Sequence, residues 1–360
     1  MSVVSKVLWV AGFLWSSSHP LAALDFGPAQ PASWTVHLEN DSFLTTDRYY
    51  TNGLRYTRTF TEDGLPGWAR RTRWMEPVLN SFHLCHPGES GGSCYHFETA
   101  WTFGQNLYTP ENLRASRLLR SQRPYGAWLY YGNVLTLRNS TVEHTVEVDL
   151  GVAGGSLTLG EQVQRNWHRL LRTIFNSDDP PDPQGWGNQI HNQPGLQVFY
   201  QGRRQSFEKV TDSDLRYFDA TPQINAALGT VSVYGSVGGT LRLGYNVPRE
   251  FPTLIPPVPA PHPQALDASH PPARRLWEVY GFARADQRYV AYSAFLDGNI
   301  HVFGRSHSVV KDPWVTDLQA GAVVGHDRWR LSATLVDRSP EFRAQRRHQR
   351  FVSLTFMHRR

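Results

Sequence analysis

The chain has 360 residues, of which 40% are hydrophobic, 12% aromatic and only 19% charged, with a formal net charge of +5 and a mean hydropathy of −0.44. That apolar and aromatic content excludes disorder. Beyond the first two dozen residues there is no run of about 18 uncharged apolar residues from which a membrane-spanning helix could be built. What remains is a soluble all-β or α/β protein, or a transmembrane β-barrel, which looks polar on average because only alternate residues face lipid.

At the N-terminus Lys6 precedes an apolar run from Val7 to Trp15, followed by Ser16, Ser17 and Ser18 and then Pro20-Leu21-Ala22-Ala23. A basic residue, a short apolar stretch and small residues form the pattern of a secretory signal peptide. Residues 1–23 are expected to be that leader, cleaved near Ala22 or Ala23, with 24–360 as one domain. Cys85 and Cys94 flank a Gly-rich stretch. In an exported chain this predicts one local disulfide, with two free thiols as the alternative. The positive charge is nearly all Arg, since Lys6, Lys209 and Lys311 are the only lysines. Apart from Arg343 to Arg350 it is spread along the chain, which argues against a nucleic-acid partner. Arg forks suit anionic headgroups, although ordinary rim charges would look the same.

The hydrophobic period is two. Trp34, Val36 and Leu38 alternate with Thr35 and His37. Val146, Val148, Leu150 and Val152 alternate with Glu143, Thr145, Glu147, Asp149 and Gly151. Near the C-terminus Leu318, Ala320, Ala322 and Val324, then Trp329, Leu331, Ala333 and Leu335, repeat the pattern. Such alternation marks strands with one apolar face. Carboxylates on the other face do not suit a dry sandwich core, whereas a polar lumen accepts them. The fold predicted is therefore all-β, a transmembrane antiparallel barrel. Its strands are expected near 33–43, 50–60, 95–106, 125–137, 142–153, 194–205, 215–228, 230–246, 276–296, 314–326, 328–338 and 349–357. That is about 12 strands, an even number as single-chain outer-membrane barrels require.

Two segments depart from the pattern. Residues 160–175 contain good helix formers, and Val163, Trp167, Leu170, Leu171 and Ile174 recur at helical spacing. One short amphipathic helix in an extracellular loop is expected there. The proline-rich stretch 247–275 cannot pair as strands and is expected to be a connector. If the first strand runs outward, loops after odd strands are external. Segments 61–94 and 247–275 are then unexpectedly long periplasmic connections.

With that orientation six polar clusters share the outer rim. They are Glu39-Asn40-Asp41, Tyr50-Thr51-Asn52-Gly53, Gly104 to Pro110, Arg123 to Trp128, the helix with His168, and Gly185 to Gln189. These clusters resemble the outer-membrane lipid A 3-O-deacylase family. The boxes are E-N-D-x-F at Glu39 to Phe43, D-R-x-Y-T-N-G at Asp47 to Gly53, G-Q-N-x-Y-T-P at Gly104 to Pro110, R-P-Y-x-x-W at Arg123 to Trp128, G-E-Q-V-Q-x-x-x-H at Gly160 to His168, and G-W-x-x-Q-I-x-N at Gly185 to Asn192. They occur in order through the N-terminal half of the mature chain.

The resemblance implies a twelve-stranded barrel that needs calcium and hydrolyses the 3-position acyloxyacyl ester of lipid A. It implies lipopolysaccharide in the outer leaflet as substrate and the outer membrane as location; a monomer is expected. The family's essential Asn and Asp fall on Asn40 and Asp41, its Thr on Thr51 and its catalytic His on His168. The family also uses a Lys after the Y-x-P box, but residues 107–124 contain none. Arg114, Arg117 and Arg120 stand there as candidate substitutes and, with Gln105, as candidate substrate contacts.

No G-x-S-x-G elbow is present to supply a serine nucleophile. The expected chemistry has His168 as general base on water. Calcium would polarise the ester carbonyl, held by Asp41 with Glu39 as a further ligand, and Asn40 or Thr51 would supply neutral oxygens. Adjacent strand residues point to opposite faces, so Asn40 and Asp41 can share a site only through a bulge at the strand end or with one acting indirectly. The alternatives are a non-enzymatic, porin-like or structural barrel, and a barrel phospholipase.

Overall fold

A computed structural model describes residues 27–44, 46–61, 63–72, 74–85, 94–176, 178–211, 215–248, 277–300, 304 and 306–360. The expected leader and most of the proline-rich connector lie outside the described residues.

Twelve antiparallel strands form the barrel: β1 (Pro31–Asn40), β2 (Tyr49–Phe60), β3 (His96–Thr109), β4 (Gly126–Arg138), β5 (Val142–Gly154), β6 (Gln193–Arg204), β7 (Arg216–Gly229), β8 (Ser232–Tyr245), β9 (Trp277–Ser293), β10 (Trp314–His326), β11 (Trp329–Arg338) and β12 (Gln349–Arg359). Each pairs with its neighbours in sequence, and β12 pairs with β1 to close the sheet, so no edge is left open. All twelve predicted strands are present, each within about three residues of its expected bounds. The ninth is a single strand.

The alternation sorts by face as expected. On β5 Glu143, Thr145, Glu147 and Asp149 are buried inside, while Leu150 is exposed outside. Charges placed inside a barrel must be paired, because an isolated buried charge is very costly. Many are paired: Arg55 with Glu147 at 2.9 Å, Arg203 with Glu143, Arg242 with Asp219, and Asp317 with both Arg288 (3.1 Å) and Arg338 (2.7 Å).

Outside, the wall is not uniform. On β9 every second residue from Trp277 to Ala291 is exposed. Aromatic pairs sit towards both ends, Trp277 with His326 and Tyr289 with Trp314, as expected for interface girdles. On β3 the outward set reads Phe97, Thr99, Trp101, Phe103, Gln105, Leu107 and Thr109, yet only Trp101 and Phe103 are not buried. Protein covers both ends of this wall. At the periplasmic end α1 (Gly67–Thr72) and α2 (Met75–Leu79) follow β2. Leu65, Met75 and Leu79 pack there on Phe97, Leu135 and Leu137. The described part of 61–94 thus packs as a clamp against the barrel exterior. Cys85 and Cys94 form the expected disulfide, with Cα atoms 4.9 Å apart. At the outer end the cover is the segment between β5 and β6, which contains α3 (Gly160–Phe175). One further short helix, α4 (Ala294–Asp297), follows β9.

Candidate active site

The predicted helix is present, and its buried face is only partly apolar. Gly160, Gln164, His168 and Leu171 form the buried stripe, while Leu170 and Ile174 are exposed. The stripe rests on the barrel exterior. A Cβ at Gly160 would lie 2.6 Å from the Trp186 ring and 3.1 Å from Ala127 and Leu107, so only glycine allows this approach. Trp186 donates its ring N–H to Gln164 Oε1 at 2.9 Å. Together with Leu113 and Tyr125 it forms a small apolar core against Leu107 and Ala127, which face outward from β3 and β4. Gln105, also outward, donates to the Thr158 carbonyl and anchors the turn before the helix.

His168, on the buried stripe of α3, is fully buried. Its Nδ1 lies 2.7 Å from the Pro181 carbonyl. A carbonyl only accepts, so Nδ1 carries a proton and the lone pair of the neutral ring sits on Nε2. Nε2 is 2.8 Å from Asp47 Oδ2. The direction is not that of a hydrogen bond, and among the described residues neither Nε2 nor either Asp47 oxygen has a hydrogen-bond partner. A ring carrying both protons would form an ion pair with Asp47 here.

Asn40 and Asp41 are both fully buried. β1 ends at Asn40, whose Oδ1 accepts the Ser42 N–H at 2.7 Å and starts a tight turn. Asp41 stands in that turn. Its Oδ2 accepts the Arg48 N–H at 2.8 Å and the Thr46 hydroxyl at 3.2 Å, while Oδ1 takes no hydrogen bond. Burial, and then the Asp47 charge, hold the Asp41 carboxyl well above the usual carboxylate range. The β1 end therefore needs no bulge. The bulge is on β2: Tyr50 pairs with Tyr108 and Asn52 with Leu107, leaving Thr51 as the extra residue. Thr51 is buried, its Oγ1 is 2.7 Å from Thr109 Oγ1, and its carbonyl accepts the Asp41 N–H at 3.4 Å.

Tyr49, beside the bulge, has φ 66°, a conformation that a bulky residue adopts only when its surroundings enforce it. Gln349 of β12 supplies the enforcement. Its Oε1 accepts the Tyr50 N–H at 2.9 Å, and its Nε2 donates to the Arg48 carbonyl at 2.8 Å and the Tyr50 carbonyl at 2.6 Å.

The other candidates lie apart. Glu39 is on the lumen face of β1 and accepts the Tyr50 hydroxyl. Arg114 is exposed and pairs weakly with Asp179 at 3.4 Å, and Arg117 and Arg120 are exposed as well. The basic side chains of the helix, Arg165 and Arg172, are tied to Glu161 and Asp182. Among the described residues no three His, Cys, Asp or Glu side chains form a metal-binding group. Asp47 is the residue that sequence reasoning left without a role, although it opens the D-R-x-Y-T-N-G box.

Comparison with known proteins agrees with this architecture. The fold is similar to that of LpxR from Salmonella typhimurium, with a TM-score of 0.66 at 18% identity over 91% of this chain and 99% of that one. Weaker likeness, at a TM-score of 0.40 and 9% identity, extends to the β domain of the Bordetella autotransporter BrkA over 91% of this chain and 98% of that one. No curated protein matches the chain. The profile of the family described as outer membrane protein LpxR matches residues 8–360, and the chain belongs to that family of outer-membrane barrels.

Proposed function

We propose that the protein is an outer-membrane lipid A deacylase that hydrolyses the 3-position acyloxyacyl ester. The observation that carries this reading is His168, held in one tautomer by the Pro181 carbonyl and buried against the barrel exterior beside Asp41 and Asp47. A base in that position meets a lipid from the side of the membrane and not through the lumen. The non-enzymatic porin alternative needs an open interior, whereas ion pairs such as Arg55–Glu147 and Asp317 with Arg288 and Arg338 cross the lumen here.

In this reading Nε2 of His168 takes a proton from the attacking water. The imidazolium that forms is stabilised by the carboxylate of Asp47. Nδ1 stays bonded to Pro181, so the ring does not turn as the proton arrives. The cover of α3 keeps bulk water away from the base.

A hard divalent cation suits the residues present. Asp41 Oδ1 is buried without a partner, and the neighbouring carboxylates of Asp41 and Asp47 repel one another. Asp41 and Asp47 would hold calcium, with Asn40 and Thr51 as neutral oxygen donors. Calcium, when bound, would polarise the ester carbonyl and hold its developing negative charge. Glu39 has no part in this set.

The test is incubation of the purified, detergent-folded protein with lipid A, with calcium or with chelator, followed by mass spectrometry. Calcium-dependent loss of the 3-position acyloxyacyl group, abolished in His168→Ala, is the expected result. No release under any condition overturns the reading. Release of fatty acid from glycerophospholipids instead would replace it with a phospholipase.

A further inference from the structure

The exposed wall of β3 is too short for the membrane. Between Thr99 and Gln105, both covered by protein, it is only about 15 Å tall at about 3.4 Å per residue and about 40° of tilt. On the opposite side of the barrel, Trp277 to Tyr289 spans about 30 Å by the same measure, matching an apolar band of about 25 Å. A bilayer does not stop at the exposed strip of β3. Its hydrocarbon must therefore lie against the covering segments as well.

The outer cover has a surface for it. Leu157, Leu159, Leu170, Ile174 and Phe175 are all 48–71% exposed. They continue the lipid-facing wall. Leu150 of β5 pairs with Leu196 of β6, both exposed, and Val152 with Pro194 stands one step nearer the rim. Leu157 follows, tied to the start of β6 through Asn192. On α3 the residues sort into three flanks. Gln164 and His168 face the wall, Leu170 and Ile174 are on one free side, and Arg165, Arg169 and Arg172 are on the other. An apolar flank beside a charged one is the pattern of a helix lying in a membrane interface; on the charged flank Arg165 and Arg172 pair with Glu161 and Asp182, and Arg169 is exposed.

We infer that α3 is an interfacial helix whose Leu170–Ile174 edge is immersed in the hydrocarbon of the outer leaflet. This goes beyond the enzymatic reading and stands on the outer-membrane barrel alone. Its consequence for that reading is positional: immersion sets His168 at the depth where acyl esters join headgroups.

The experiment uses the full chain reconstituted in liposomes. Single cysteines are introduced as Ile174→Cys, as Arg169→Cys on the basic flank and as Leu150→Cys on the barrel wall. Each is labelled with bimane, the native cysteines being paired. Quenching is read with brominated phosphatidylcholine and with aqueous iodide. The Ile174 probe is expected to be quenched by brominated lipid to within about a factor of two of the Leu150 probe and to be shielded from iodide, with Arg169 the reverse. Quenching of the Ile174 probe by iodide and not by lipid overturns the inference. Protection from both quenchers, which would mean cover by a second copy of the chain, also overturns it. Lipid A hydrolysis measured on the same samples separates the two readings: lipid quenching without hydrolysis leaves the immersed helix standing, and hydrolysis without lipid quenching removes it.

Discussion

His168 Nε2 lies 2.8 Å from Asp47 Oδ2, in a site enclosed between the barrel exterior and α3. The ring nitrogen that would take a proton already faces the carboxylate that would stabilise the charge. Asp47→Asn keeps the shape and removes the charge. It should lower kcat for lipid A hydrolysis by at least about 10–100-fold, since it removes both the counter-charge of the imidazolium and a carboxylate of the calcium set. His168→Ala should lower it by about 10²–10⁴-fold, the range of general base catalysis. Equal activity of Asp47→Asn and wild type would remove Asp47 from the mechanism.

The seating of α3 depends on Gly160. A Val there brings its Cβ within 2.6 Å of Trp186 and should lift the helix from the wall. Activity should be lost while heat-modifiable gel mobility, the sign of a folded barrel, is retained. If Gly160→Val remains active, the helix need not touch the wall for function.

Asp41 predicts a pH dependence. Its carboxyl in the folded, cation-free protein is raised above the ordinary value of about 3.9. The folded state therefore holds a proton that the unfolded state has released. The associated stability is complete below the unfolded value and is lost as pH rises through the folded one. In chelator, the urea midpoint of wild type should fall as pH rises from about 4, and calcium should restore it at neutral pH. Asp41→Asn should flatten the slope. An equal slope in that variant would assign the effect to another group.

Asp317 neutralises two arginines in the lumen, Arg288 and Arg338. Asp317→Asn leaves both charges buried without their shared carboxylate and should cost about 3–5 kcal/mol. Urea titration read by gel mobility measures it. A change well under 1 kcal/mol would mean that water reaches these groups.

Strands were legible because alternation carries one fact per residue, inside or outside. The limit of that information shows at Gln105 and Leu107. Their parity puts them outside the barrel, but only the folded chain reveals that protein and not lipid covers them. The same limit explains the helix. Val163, Trp167, Leu170, Leu171 and Ile174 do form one apolar arc, as read. That arc meets the buried stripe only at Leu171, because Gln164 and His168 find polar partners in Trp186, Pro181 and Asp47, whereas Leu170 and Ile174 need none. The bulge at Thr51 and the left-handed Tyr49 had no sequence mark, since neither residue is a glycine.

The clamp of Gln349 on Arg48 and Tyr50 joins the last strand of the chain to the turn that carries Asp41 and Asp47. That turn has its enforced backbone only after β12 has zipped onto β1. In the proposed reading, a chain whose barrel has not closed would lack this support for its site, and catalytic competence would come with closure.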